Sequence, residues 1–296
     1  MNNDTLFCCR LKDESANPDL VTELLSAFDY DFSSWEDVEN RTAFHTLYFS
    51  VESEAAAAKN RIDALLPEWK EFGVDISATE LFSIKREDWA EVWKKYFNIL
   101  HISKRLVIKP SWLEYQPEPG QEIVEIDPGM SFGTGQHATT AYCLKMIDNL
   151  IAAESVSNFL DAGCGSGILS IAVAKLGCRD IDAFDIDPDA VMVAGENIEI
   201  NGIKPGNISL QTADVAEFGV AGKTYDLVAA NILAHILREN RDKIVSLVKP
   251  GGKLILAGIL SSDFENTSQH FCKAGLERID SFSEKEWTSG TFEKEL

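Results

Sequence analysis

The sequence predicts an α/β protein in two parts, a small α+β domain followed by a larger doubly wound parallel sheet. Three observations carry this. From residue 123 onward, apolar strand-like runs, glycine turns and helical segments alternate, the pattern of a parallel sheet covered by helices. Before that point strand and helix patterns alternate twice over 1–85, as in a split βαβ (ferredoxin-like) sandwich. Between the two, residues 110–120 hold three prolines and cannot continue a helix. The chain of 296 residues suits two domains at about 150 residues each. The expected divisions are a domain over 1–85, a linker helix with an extended connector over 86–122, its boundary near 117–121, and a second domain over 123–296.

In the first domain, residues 5–11 read as a strand, and after Pro18 the apolar positions Leu20, Val21, Leu24, Leu25 and Phe28 recur at helical spacing. Residues 43–51 are aromatic and β-branched, which favours a second strand. Ser53 is placed to cap a helix over 54–66, whose four consecutive alanines favour that state, and 74–84 supplies further strand material. Over 86–97, Trp89, Val92, Trp93 and Phe97 share one stripe of an amphipathic helix. In the second domain the expected strands are 158–160, 180–184, 209–211, 226–230 and 253–256, with helices over 168–176 and 188–201.

Composition removes several classes of function. With 45% hydrophobic and 25% charged residues the chain is ordinary globular material. Its 27 basic against 48 acidic residues, a net charge of −21, leave little means of neutralising phosphates, so direct nucleic-acid binding is not expected. The acidic excess is shared by the segments 1–110 and 111–296, so neither part is a basic arm. The cysteines (Cys8, Cys9, Cys143, Cys164, Cys178, Cys272) form no Cys-x-x-Cys pair; neither a metal site nor a disulfide framework is expected, and a reducing cytoplasm fits. No stretch approaches the roughly 20 apolar residues that span a bilayer, and residues 1–25 lack the apolar core of a signal peptide. A monomer is expected.

The chemistry is concentrated in three segments. Residues 160–167 (LDAGCGSG) lie between a strand and a helix, where missing side chains let a ligand rest on backbone and on the helix N-terminus. A glycine turn by itself is weak evidence, but Asp185 ends the strand that comes next after Gly167, where a carboxylate can accept both hydroxyls of a ribose. The dinucleotide pattern G-x-G-x-x-G is not met, because the glycines are Gly163, Gly165 and Gly167, which disfavours a nicotinamide cofactor. Asp161, two positions before the first glycine, suits a positively charged ligand end such as a sulfonium with an amino-acid tail. This segment resembles class I S-adenosylmethionine-dependent methyltransferases, a Rossmann-like fold, residue for residue at Asp161, Gly163, Gly165, Gly167 and Asp185.

The second segment, residues 127–140 (DPGMSFGTGQHATT), has three glycines before a helix, a loop suited to fold over a ligand, with Thr139 or Thr140 as the helix cap. The third places Asn231, followed by Ile232 and Leu233, at the C-terminal end of an apolar strand, where ligands of such sheets bind. Each has a plainer reading as a turn. Together with the glycine turn they resemble the PrmA family, the methyltransferases of large-subunit ribosomal protein L-eleven (L11). Trp89, Trp93 and the Pro110-Ser111-Trp112 run resemble that family's linker, so the likeness covers residue 86 to the C-terminus; the segment 1–85 matches in size and rough pattern.

The resemblance implies that Thr140, Gly163, Asp185 and Asn231 bind S-adenosylmethionine and that the N-terminal domain recognises the basic ribosomal protein. Thr134, Asp161, Gly165, Gly167, Ile186 and Asp214 complete the expected cofactor set, Asp214 also reading as an exposed turn. Asn231-Ile232-Leu233-Ala234 stands where methyltransferases of planar amides and bases carry D/N-P-P-Y, so an aliphatic amine is the expected acceptor. The expected catalytic group is Asn231 orienting the amine, Phe132 and Thr134 closing over it, and His137 as an available proton acceptor or a structural residue. Alternatives are a related enzyme acting on another protein or small amine, and a cofactor-binding ribosome-assembly module without turnover.

Overall fold

A computed structural model describes residues 5–15, 19–26, 28, 30–37, 42–85, 97–127, 137–219 and 222–296. The chain divides into two compact units, Met1–Phe97 and Asn98–Leu296.

The first unit contains β1 (Thr5–Asp13), α1 (Asp19–Ser26), β2 (Phe32–Asp37), β3 (Thr42–Phe49), α2 (Glu52–Glu71) and β4 (Ile76–Lys85). Its strands form an antiparallel sheet in the order β2-β3-β1-β4, the split βαβ arrangement read from the sequence. Cys9 and Leu11, two apart on β1, point to one face and meet Leu47 of β3, Val21 and Leu25 of α1, and Ile62 and Trp69 of α2. Ser53 does not cap α2. The helix starts two residues earlier, behind Val51, with no side-chain cap, and its first turn carries Glu52 and Glu54, charges favourable to the positive end of the helix dipole. It also runs past 66 and through Pro67, because Trp69 must reach the core. A Schellman turn then ends it: Val74 N–H donates to Trp69 O (3.2 Å), Gly73 N–H donates to Lys70 O (3.1 Å), and Gly73 takes φ +90°. Strand β2 was not foreseen, since its sequence (FSSWED) is polar and lacks a clean alternation.

The second unit opens with β5 (Leu100–His101), β6 (Leu106–Lys109) and β7 (Glu122–Glu125), a three-stranded sheet. This corrects the connector expected over 86–122. From residue 98 the chain belongs to the second unit, and Leu106, Ile108, Val124 and Ile126 are buried in its core. The linker helix expected over 86–97, including Trp89 and Trp93, lies almost wholly outside the described residues.

There follow α3 (Ala138–Ala153), β8 (Asn158–Ala162), α4 (Ile168–Lys175), β9 (Asp180–Asp185), α5 (Pro188–Ile200), β10 (Ile208–Thr212), β11 (Tyr225–Asn231), α6 (Ala234–Glu239), α7 (Arg241–Leu247), β12 (Val248–Leu260), α8 (Ser261–Cys272), β13 (Leu276–Glu284) and β14 (Trp287–Lys294). The seven strands from β8 on form one sheet in the order β10-β9-β8-β11-β12-β14-β13. The first five of that order are parallel, and β14 and β13 close the far edge antiparallel. Alternate strand residues feed opposite faces. Phe159, Leu227, Ala229, Ile255 and Ala257 pack with α3 and α4, while Leu160, Val228, Ala230, Leu254 and Leu256 pack with α6, α7 and α8. Both faces are covered, which is why these strands read as continuous apolar runs.

Leu106→Ala should cost about 2–5 kcal/mol of stability by chemical denaturation, as for a core leucine. A change within roughly 0.5 kcal/mol, the value for an exposed connector, would contradict the placement of residues 98–122 in the second unit.

Candidate active site

The parallel register sets the site. Ala162 of β8 pairs with Phe184 of β9 and with Ala230 of β11, and Asn231 pairs with Ala257 of β12. Gly163, Asp185, Asn231 and Gly258 therefore reach the same C-terminal edge of the sheet.

The glycine turn is held by backbone. Gly163 N–H and Cys164 N–H both donate to Phe184 O (2.9 Å each), and Gly167 N–H donates to Cys164 O (2.8 Å) before α4 begins. Gly163 has φ +75°, and a Cβ there would lie 2.4 Å from Ile232 Cγ2, so the turn is seated directly on the residue after Asn231. Two of the motifs singled out in the sequence thus touch. Cys164 is buried, and burial pushes its thiol well above the ordinary value, which suits a small filler rather than a nucleophile.

Asp185 accepts from Gly165 N–H (2.9 Å) and Asp187 N–H (3.1 Å), one bond on each carboxylate oxygen, so each oxygen keeps acceptor capacity. Ile186 beside it is 67% exposed. Ala213 N–H donates to Asp185 O (2.9 Å), which brings the end of β10 to the end of β9. Asp214 follows, and its carboxylate accepts from Ala216 N–H (2.7 Å), the local turn that its alternative reading described. Asp161 is buried and its Oδ2 accepts from Ser170 N–H (3.1 Å) and Ser170 Oγ (2.7 Å), tying β8 to α4. Burial raises its carboxyl to about 6 and the Asp185 charge adds to this, against the lowering effect of the Ser170 bonds.

Asn231 donates from Nδ2 to Thr140 Oγ1 (3.4 Å), while its Oδ1 is buried with no partner among the described residues. Thr139 and Thr140 are not the helix cap. His137 takes that position with extended backbone, and both threonines are buried in the first turn of α3. Phe132 and Thr134 lie outside the described residues. Sequence reasoning missed Gly258. A Cβ there would stand 2.8 Å from Ile232 O and 3.1 Å from Asn231 Oδ1, so only glycine lets β12 approach the Asn231 segment this closely. The signal was an isolated glycine inside an apolar strand, which marks the close approach of a second backbone.

The family model for ribosomal protein L11 methyltransferase (PrmA) matches residues 19–295. The chain belongs to this family. It is 33% identical over 276 residues to a ribosomal protein L11 methyltransferase of Caldanaerobacter subterraneus subsp. tengcongensis, covering 92% of this chain and 87% of that one. It is 39% identical over 279 residues to that of Geotalea daltonii, covering 90% and 86%. A crystal structure of a ribosomal protein L11 methylase from Lactobacillus delbrueckii subsp. bulgaricus superposes with a TM-score of 0.60 at 29% identity, covering 68% of this chain and all of that one.

Gly258→Ala should lower stability by about 1–3 kcal/mol, measured by thermal or chemical unfolding, because φ is +77° and the new methyl meets backbone oxygen. Asp161 sets a pH effect of opposite sign to a salt-bridged carboxylate. Its folded-state value is raised, so its contribution to stability is full below the ordinary carboxylate range and is lost as pH rises through about 6. Asp161→Asn should flatten that part of the stability profile, and an unchanged profile would contradict the assignment.

Proposed function

We propose that this chain transfers methyl groups from S-adenosylmethionine to amino groups, lysine ε-amines or an N-terminal α-amine, of ribosomal protein L11. It is a protein methyltransferase of the family whose members act on L11. The observation that carries the reading is the convergence of Gly163, Asp185 and Asn231 on one sheet edge, with the Asn231 carbonyl buried and unpartnered among the described residues. A buried acceptor left open costs free energy unless a ligand uses it.

The residues present suit the methyl donor. Asp185 retains acceptor capacity for ribose hydroxyls, and exposed Ile186 offers an apolar surface to a base. When bound, S-adenosylmethionine supplies an electrophilic methyl on a positively charged sulfur. The chain supplies position. Asn231 Oδ1 accepts a hydrogen bond from the incoming amine and aims its lone pair at the methyl. Ala234 stands where enzymes acting on planar amides carry a stacking aromatic, which favours a tetrahedral amine.

The first unit recognises L11. The excess of 48 acidic over 27 basic residues in the chain speeds encounter with a basic protein, and disfavours nucleic acid as a partner. In this reading the enzyme acts as a monomer. The cysteines are free and no helix among the described residues is long and apolar enough to cross a membrane, in keeping with a cytoplasmic enzyme.

Incubation of free L11 with the protein and S-adenosylmethionine should add mass in steps of about 14 Da, mapped by mass spectrometry to amino groups. Asp185→Ala should abolish the gain, and Asn231→Ala should reduce kcat with the KM for L11 little changed. No gain from a protein that binds the donor would move the substrate to another amine. Arrival of a cationic ligand should also ionise Asp161. Calorimetry in buffers of different ionisation enthalpy should detect proton release on donor binding near pH 6 and none near pH 8; equal release at both would contradict the role. Removing residues 1–97 should leave donor binding intact and abolish methylation of L11.

A further inference from the structure

The first turn of α3 is capped by an unusual residue. Asn, Asp, Ser and Thr are the favoured caps, but here the extended residue is His137 (φ −69°, ψ 136°), whose Nδ1 lies 2.7 Å from Thr139 Oγ1 and accepts from Thr139 N–H at 3.4 Å. The imidazole is held in place by a second element. Its ring meets Trp287 edge to face, with centroids 5.0 Å apart. Trp287 opens β14 and pairs with Leu260, further along the strand from Ala257, the β12 partner of Asn231. The ring therefore bridges α3 to the β12–β14 pair, and Asn231 contacts α3 through Thr140 Oγ1 (3.4 Å) and pairs with β12.

We infer that His137 is a positioning residue: by capping α3 through Nδ1, with Trp287 holding the ring, it fixes Thr140 Oγ1 against the Asn231 amide. This rests on the reading of Asn231 as the group that orients the amine. The capping tautomer itself argues against a general base. Its Nδ1 lone pair is spent on Thr139, and its Nε2 carries the proton and has no lone pair to offer. Among the described residues, the charged groups acting on the ring come from the end of β13 and the turn that follows it. Burial is the largest influence and favours the neutral ring; Glu286 and Glu284 oppose it and Lys285 supports it, with a balance below the ordinary histidine value. The neutral, capping form is then complete above the ordinary value and is lost as pH falls through the lowered one.

The magnitudes separate the two roles. A general base contributes about 10²–10⁴ in rate, whereas loss of a cap costs near 1 kcal/mol, about fivefold. At pH 8 with saturating donor, His137→Ala should lower kcat for L11 about five- to tenfold with KM unchanged. His137→Asn, which keeps a capping acceptor and does not titrate, should restore the rate to within about twofold of the wild type. As pH is lowered from 8 to 5, the ratio of wild-type to His137→Asn rates should fall. Loss of 100-fold or more in both variants, no loss in either, or a ratio independent of pH would each overturn the assignment. Asn231→Ala serves as the internal control. If it leaves kcat intact, the reading of Asn231 has failed, and the behaviour of the His137 variants then separates that failure from the failure of the brace.

Discussion

The constraint on which the site depends is the parallel register of β9, β8, β11 and β12. Two pairings of Ala162, with Phe184 and with Ala230, decide that the glycine turn, the Asp185 carboxylate and Asn231 emerge at one level. A slip of one residue would turn each strand's alternate side chains to the other face, exchanging the set that packs on α3 and α4 with the set that packs on α6, α7 and α8. The hydrophobic cores on the two faces therefore lock the geometry of the polar edge, although none of their residues takes part in the chemistry.

At that edge the protein arranges backbone before side chains. Phe184 O accepts two N–H groups of the turn, Asp185 accepts two more, and Gly163 and Gly258 are bare where Ile232 must approach. The Asn231 segment is thus gripped from β8 on one side and β12 on the other. Its amide nitrogen is directed to Thr140 and its carbonyl has no partner among the described residues. Burial of Asp161 works against its charge and raises its carboxyl to about 6.

Much of this was legible in the residues. The alternation of apolar runs and glycine turns pointed to the parallel sheet, and the spacing of Asp161, Gly163, Gly165, Gly167 and Asp185 singled out a turn and a strand end that the structure brings together. What escaped had physical causes. Strand β2 is polar and exposed, so no periodicity announces it. The antiparallel β13 is charged and exposed along almost its whole length, and β14 is largely buried but rich in Thr, Ser and Gly, so neither has the apolar continuity of the central strands. Leu106, Ile108 and Val124 are short apolar runs separated by prolines, and their membership of the second core follows from long-range pairing that local pattern does not reveal. Thr139 and Thr140 looked like the better caps on intrinsic preference, but the contact of His137 with Trp287, far away in sequence, selects the histidine.

The most direct measurement is a crystal structure of the complex with S-adenosylhomocysteine, the product that retains the donor's nucleoside and amino-acid ends. The ribose hydroxyls should bond the Asp185 carboxylate, and the sulfur should face Asn231 with open space between it and Oδ1 for an amine. A ligand seated away from Asp185, or an Asn231 carbonyl turned from the sulfur and satisfied within the protein, would contradict the account.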